Sequence, residues 1–141
     1  MTRRSVLRLI DANANRALEG VRVCEDIVRF HCRSRASFRR LRALRHAIAS
    51  AVRRLPVTPV ELVRVRESRE DPGRRAPSAR VGSLERLLLI NLQRVKEALR
   101  VLEECSRTFS PSHSAAFQRL RFRTYDLEGD LLLTLAALRH R

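Results

Sequence analysis

The sequence has 141 residues, of which 44% are hydrophobic, so the chain is long enough to bury one hydrophobic core. Its formal net charge is +15, yet the hydrophobic fraction is that of a globular protein, which excludes a disordered basic tail. No apolar run reaches the roughly 18 residues that a membrane-spanning helix needs, and the Arg-rich start is not typical of a secretory signal. We therefore expect a soluble, cytoplasmic protein with one helical domain over residues 1–141 and no membrane partner.

Apolar residues recur every three or four positions along most of the chain, which indicates amphipathic helices. This periodicity predicts four long helices, at about 5–30, 36–54, 84–108 and 111–138. Thr58, Pro59 and Glu61 carry the signature of a capping box with proline at the first helical position, so a short helix is predicted to about Val65. Turn residues indicate a loop over 66–82.

The order and spacing of these helices predict an all-α fold. Short connections place consecutive helices antiparallel, so we expect a four-helix bundle built from two related hairpins. The predicted segments are a first hairpin at about 4–54, a linker with a long middle loop at about 55–82, and a second hairpin at about 83–139.

An internal repeat relates the two hairpins. The first and third predicted helices share polar residues at an offset of 78 positions: Asn13 and Asn91, Arg16 and Arg94, Glu19 and Glu97, Arg22 and Arg100, Glu25 and Glu103. Related hairpins commonly pack with pseudo-twofold symmetry, so the shared residues are expected to converge on one axis. The alternative is a set of solvated ion pairs at i, i+4 spacing, but such pairs do not require asparagine at the same place twice. Gly20 in mid-helix is expected to allow the close approach of a helix or ligand.

Five segments of the sequence, which span nearly the whole chain, carry a family resemblance. They are DANANRALEGVRVCEDIVRF (11–30), LRALRHAI (41–48), RESREDPG (66–73), NLQRVKEALRVLEE (91–104) and LRFRTYDLE (120–128). Together they resemble the small helical hydroxymethylpyrimidine-phosphate kinases of thiamine biosynthesis, a domain also found fused ahead of thiamine-phosphate synthase. The resemblance implies transfer of a phosphoryl group from ATP to hydroxymethylpyrimidine phosphate, with Mg²⁺ as cofactor. Without a following synthase barrel, we expect the stand-alone kinase, which would act beside a separate thiamine-phosphate synthase.

The resemblance and the chemistry of phosphoryl transfer together suggest roles for the matching residues. Guanidinium groups and carboxylates suit phosphates and Mg²⁺, so the catalytic candidates are Arg16, Glu19, Arg22, Asp26, Arg94, Glu97 and Arg100. The candidate Mg²⁺ ligands among them are Glu19, Asp26 and Glu97. The substrate-binding candidates are Asn13, Asn15, Asn91, Arg45 and His46. The sequence has no Walker motif, so the middle loop supplies the nucleotide-binding candidates Arg66, Asp71 and Gly73.

Two other functions remain open from the residues alone. The charge of +15 favours a basic helical module that binds nucleic acid. Only 4% of the residues are aromatic and the repeated positions include carboxylates, which argues against nucleic acid. The third hypothesis is a non-catalytic ligand-binding or regulatory domain. The apolar run Leu131–Leu133 is expected to lie in the core or at a subunit interface, which makes a homodimer an expected arrangement.

Overall fold

The computed structural model describes residues 2–139 and, within them, the side chains of residues 2–137. This part of the chain is all-helical, as predicted, and contains no β-strand. The α-helices are α1 (Arg3–Asp26), α2 (Arg35–Arg53), α3 (Pro59–Val65), α4 (Leu84–Ser106) and α5 (Pro111–Arg139), and a 3₁₀ turn at Ser68–Glu70 lies within the middle loop. The predicted domain of 1–141 also includes residues 1, 140 and 141, which lie outside the described residues.

Side chains cap the helices where the sequence predicts helix starts. Thr58 and Glu61 form the predicted reciprocal capping box of α3, and the Ser83 hydroxyl accepts a hydrogen bond from a backbone N–H in the first turn of α4. The end of α1 differs from the prediction of a plain α-helix, because a π-turn at Ile27–His31 continues it. Arg33 follows with φ 53°, the left-handed conformation that lets the chain turn back into α2.

The helices pack around one hydrophobic cluster. α1 contacts α2, α3 and α4, whereas α5 contacts α4 and α2. Ile10, Leu44, Leu88 and Phe117 are fully buried in this cluster. Burying each of these side chains stabilises the fold by about 1.5–3 kcal/mol relative to leaving it exposed.

α1 and α4 run antiparallel to each other. Gly20 on α1 lies against Val95 on α4, whereas the Cys24 thiol, one turn further along α1, donates to the carbonyl of Leu88. The contacts therefore move towards the start of α4 as they move towards the end of α1. This direction decides which residues of the two helices meet.

Two features of the surface bear on the remaining predictions. Leu132 and Leu133 on α5 are 41% and 73% exposed, so this part of the apolar run lies outside the core of the chain. No helix in the described part of the chain is long and apolar enough to cross a membrane.

Candidate functional site

A cleft of about 540 Å³ lies between α1 and α4, a volume in the range of small-molecule sites. It is lined by Asn13, Arg16, Glu19, Gly20, Val23, Asn91, Arg94, Glu97, Ala98 and Val101. Each lining residue on α1 has its counterpart on α4 at the offset of 78 positions. Three of the repeated polar pairs, the asparagines, Arg16 with Arg94 and Glu19 with Glu97, thus face one shared space.

Gly20 allows the two helices to approach closely at the cleft. A Cβ atom at this position would lie 2.8 Å from Cγ2 of Val95 and 3.3 Å from the backbone oxygen of Asn91. The first distance is too short for two carbon atoms in van der Waals contact. The expected close approach at Gly20 is therefore that of a helix, and the backbone of Asn91 is held against α1 as a result.

Asn13 and Asn91 are anchored in the same way. Each side-chain Nδ2 donates to the backbone carbonyl four residues earlier in its own helix, at 2.8 Å to Leu9 and 2.9 Å to Leu87. The two residues are only 4% and 6% exposed, and both line the cleft. Because Nδ2 is held by the helix, each amide oxygen is left as a hydrogen-bond acceptor for a ligand.

Four charged side chains lie at the rim of the cleft. Arg16, Glu19, Arg94 and Glu97 are exposed. Among the side chains of residues 2–137, neither arginine has an ion-pair partner within 4 Å, and Glu97 accepts a hydrogen bond of 3.1 Å from Gln93. Two guanidinium groups and two carboxylates are thus available for phosphate groups and a divalent cation.

A second cleft, of about 340 Å³, opens beside the first, where Arg16 and Glu19 line both. The middle loop forms its other side with Arg66, Glu67, Ser68 and Asp71. Arg66 binds Asp11 of α1 through two hydrogen bonds, of 2.8 and 2.7 Å, which raise the pKa of Arg66 above its ordinary value. This ion pair holds the loop against α1.

Behind the clefts, buried carboxylates are bound by arginines from the other two long helices. Glu25 is 1% exposed and accepts a hydrogen bond of 2.7 Å from Nε of Arg45 on α2. Glu103 is 6% exposed and is bound at 3.2 Å by Arg121 on α5. These carboxylates are neutralised inside the fold rather than presented to a ligand.

The structure brings together only part of the predicted site. Six candidates line the main cleft: Asn13, Arg16, Glu19, Asn91, Arg94 and Glu97. Three more line the second cleft: Asn15, Arg66 and Asp71. The others line neither: Arg22, Asp26, Arg45, His46, Gly73 and Arg100. Arg22 and Asp26 face each other at 3.6 Å, and Arg100 contacts Glu103 and Glu104 at 3.4 and 3.3 Å.

The carboxylates of the main cleft fit one of the usual modes of Mg²⁺ binding. No group of three or more His, Cys, Asp or Glu side chains that could hold a metal occurs in the described part of the chain. Mg²⁺ is usually held by one or two carboxylates together with substrate phosphates, rather than by a cage of protein ligands. Glu19 and Glu97 fit this mode, whereas Asp26 lies outside the cleft.

Sequence reasoning missed several residues that shape the clefts. Ala98 lies 78 positions after Gly20, so the repeat contained the signal that would have found it. Arg8 and Glu67 line the second cleft without any such signal. They meet there because the loop folds back onto α1, a contact between residues 59 positions apart.

Comparison with known proteins places the chain among related sequences. The model of the ThiD2 family matches residues 8–130. Thiamine-phosphate synthase of Synechocystis sp. is 37% identical over 131 residues, which cover 91% of this chain and 36% of the relative. The same-named protein of Gloeobacter violaceus is 37% identical over 145 residues, covering 95% of this chain and 40% of the relative.

A third relative, thiamine-phosphate synthase of Rhodopirellula baltica, is 34% identical over 141 residues, covering 98% of this chain and 37% of the relative. The chain therefore spans between 36% and 40% of the length of these three curated relatives. No solved structure matches it.

Proposed function

The chain belongs to the ThiD2 family, and from this premise we propose that it acts in thiamine biosynthesis as a kinase for hydroxymethylpyrimidine phosphate. In the proposed reaction an oxygen of the substrate's phosphate bonds to the γ-phosphorus of ATP. The bond from that phosphorus to the β–γ bridging oxygen breaks, and ADP leaves with the electron pair. The products are ADP and hydroxymethylpyrimidine diphosphate.

One observation carries the proposal: a repeated asparagine, arginine and glutamate from each of α1 and α4 line one cleft between these helices. Amides suit the polar edge of a heterocycle, and guanidinium groups suit phosphates. A cleft that combines both fits a small phosphorylated heterocycle. The finer prediction of a four-helix bundle with a pseudo-twofold axis belongs to the same proposal, because that axis would pass through this cleft.

The roles of the side chains follow from the charge that develops during phosphoryl transfer. Negative charge spreads over the transferred group, so catalysis depends on positioning and on electrostatic stabilisation. In the proposal, Arg16 and Arg94 bind phosphate oxygens, and Glu19 and Glu97 hold Mg²⁺. When bound, Mg²⁺ neutralises part of the phosphate charge. The buried asparagines of the cleft are the candidates for binding the heterocycle.

Residues outside the main cleft have supporting places in the proposal. Asp71 and the bound Arg66 of the second cleft lie where a nucleotide would extend beyond Arg16 and Glu19. The exposed Leu132 and Leu133 support a homodimer. The relatives' name supports a place next to thiamine-phosphate synthase, which would use the diphosphate.

The proposal is tested by measuring ADP release from purified protein with ATP, Mg²⁺ and hydroxymethylpyrimidine phosphate. Replacing Arg16 or Glu19 with alanine is expected to lower the turnover rate by about 10²–10³-fold. Arg16→Ala removes a cation that binds the transferred phosphoryl group, and Glu19→Ala removes a ligand of the Mg²⁺ that neutralises it. Gln118→Ala is the control, since Gln118 is exposed on α5 and lines neither cleft.

Wild-type protein that binds the pyrimidine phosphate in calorimetry without turning it over would instead indicate a non-catalytic binding domain. Equal turnover by wild type and Arg16→Ala would contradict the assignment of the cleft as the site.

A groove between α2 and α5 favours a second candidate function, the binding of nucleic acid. Arg54, Arg119 and Arg123 line it together with small residues, and its described lining contains no acidic side chain. Such a groove suits a phosphate backbone. Binding of this kind weakens steeply as salt is raised, whereas selective binding of a pyrimidine phosphate in the main cleft persists. Titration of a duplex oligonucleotide at low and moderate salt separates the two functions.

A further inference from the structure

The two ends of the main cleft carry the same recognition group. The backbone oxygen of Asn91 lies against Gly20, which is seven residues, or about 10 Å of helix, beyond Asn13. The two asparagines therefore lie towards opposite ends of the cleft. Between them along the two helices lie the charged residues Arg16, Glu19, Arg94 and Glu97.

The hydrogen bond inside each helix fixes which way each amide faces. If the amide of Asn13 turned over, its Oδ1 would face the carbonyl oxygen of Leu9, and two acceptors would repel each other. The same holds for Asn91 and Leu87. Each end of the cleft therefore presents one fixed acceptor, Oδ1, and one remaining amide hydrogen as a donor.

A fixed amide of this kind distinguishes an amino group from an oxo group on a heterocycle. A ring nitrogen beside an exocyclic amino group offers an acceptor and a donor, which match the amide hydrogen and Oδ1. A ring N–H beside an oxo group reverses both positions. Because the amide cannot turn over, the reversed edge leaves buried polar groups unpaired, and such sites discriminate strongly between analogues.

The two substrates of the proposed kinase both carry this amino edge. Adenine has it, and so does the aminopyrimidine of hydroxymethylpyrimidine phosphate. The inference rests on the proposed function, and it assigns the two ends of the cleft. The second cleft adjoins the half of α1 that holds Asn13, where Arg8, Asp11 and Asn15 line it, so this end has room for the larger nucleotide.

We propose that Asn13 binds the adenine base of ATP and Asn91 binds the aminopyrimidine, so that the two copies of the repeat each bind one substrate. The phosphates of both then meet at the charged residues between the two ends. The repeat then has a chemical explanation, because each copy binds one amino heterocycle on its own side of the phosphoryl group that is transferred. The nucleotide base is thereby located in the main cleft, and the loop is left with the outer part of the nucleotide.

Calorimetry with each ligand separately tests the assignment without relying on turnover. The ligands are ATP, GTP, hydroxymethylpyrimidine phosphate and its analogue with an oxo group in place of the amino group, all with Mg²⁺. Wild type is expected to bind each amino ligand at least about tenfold more tightly than its oxo counterpart, the factor that 1.4 kcal/mol produces. Asn13→Ala should lower the affinity for ATP about tenfold and leave the affinities for GTP and both pyrimidines unchanged. Asn91→Ala should weaken only the amino pyrimidine.

The outcomes separate this inference from the proposed function. Wild type that binds neither ATP nor the pyrimidine phosphate overturns both. The assignment of the ends is overturned, and the kinase is left in place, if wild type has normal turnover but equal affinity for ATP and GTP. The same holds if Asn13→Ala lowers the affinity for both substrates alike. Alanine is the best helix former, so the variants are expected to fold, which thermal melting checks. Gln118→Ala again provides an amide-to-alanine control outside the cleft.

Discussion

The main cleft and the interior behind it use residues of the same repeat for opposite purposes. In the cleft, Arg16 and Arg94 have no ion-pair partner among the described side chains, and they face solvent. In the interior, Glu25 and Glu103 are also related by 78 positions, but each is buried and bound by an arginine from α2 or α5. The difference is whether a neighbouring helix supplies a partner of opposite charge. A repeated polar residue is available to a ligand only where no neighbouring helix neutralises it.

The largest expected effect is on stability, from breaking an interior pair. Arg45→Ala leaves Glu25 without its partner, while the other oxygen of Glu25, Oε1, is already buried without a hydrogen bond from the described residues. Removing one partner of a buried ion pair costs about 3–5 kcal/mol, because the remaining charge stays out of water. We therefore expect the free energy of unfolding in urea to fall by that amount.

Arg40→Ala is the matched control on the same helix. Arg40 binds Asp130 at 2.8 Å, but both side chains are about half exposed, so its loss is expected to cost no more than about 1 kcal/mol. If Arg45→Ala cost as little as Arg40→Ala, the distinction between the interior and the cleft would not hold for Glu25. Replacing Glu25 and Arg45 together by apolar residues should recover much of the loss.

The sequence predicted the helices better than the partners of its polar residues. Helical periodicity and the capping box at Thr58 are local signals, and the structure confirms that box and a helix at Pro59–Val65. The repeat pointed to the residues of the cleft because their spacing on α1 and α4 is also local. The repeat also included Glu25, which is not available to a ligand. The spacing could not show this, because the pairing of Glu25 with Arg45 depends on how α2 packs against α1. The bond from Arg66 to Asp11 spans 55 positions, and no spacing pattern in the sequence indicates it.

A smaller effect on stability is expected where the two helices of the cleft touch. Gly20→Ala introduces a Cβ only 2.8 Å from Val95 and 3.3 Å from the backbone of Asn91. Forcing such an overlap costs about 1–3 kcal/mol, which outweighs the better helix propensity of alanine. In Gly129→Ala on α5, by contrast, the new Cβ meets no described atom within 4 Å beyond the adjoining backbone of its own helix, so this change should stabilise the protein by up to about 1 kcal/mol. Opposite signs in urea unfolding would confirm that Gly20 is required by the close approach of α4, and equal signs would contradict it.

The smallest effect concerns a thiol that reports on the contact between α1 and α4. Burial, with a contribution from Glu25, raises the pKa of Cys24 to about 12, and its thiol donates to Leu88 at 3.7 Å. Burial also raises the pKa of Cys32, but that side chain is only half-buried. At about pH 8.5 iodoacetamide should therefore modify Cys32 well before Cys24, since the thiolate is the reactive form.

The raised pKa of Cys24 also predicts how the stability of the protein responds to alkali. Its stabilising contribution is complete below the pKa of an unfolded cysteine and is lost as the pH rises towards about 12, because only the unfolded chain releases the proton in that range. Cys24→Ala should accordingly show a flatter loss of stability above about pH 9 than wild type does. Because Cys24 lies in the interior and lines neither cleft, the affinity of the cleft for its ligands should not change with this variant at neutral pH. Rapid modification of Cys24 in the folded protein would mean that α1 and α4 separate readily, and a cleft built on their contact could not then hold two ligands in register.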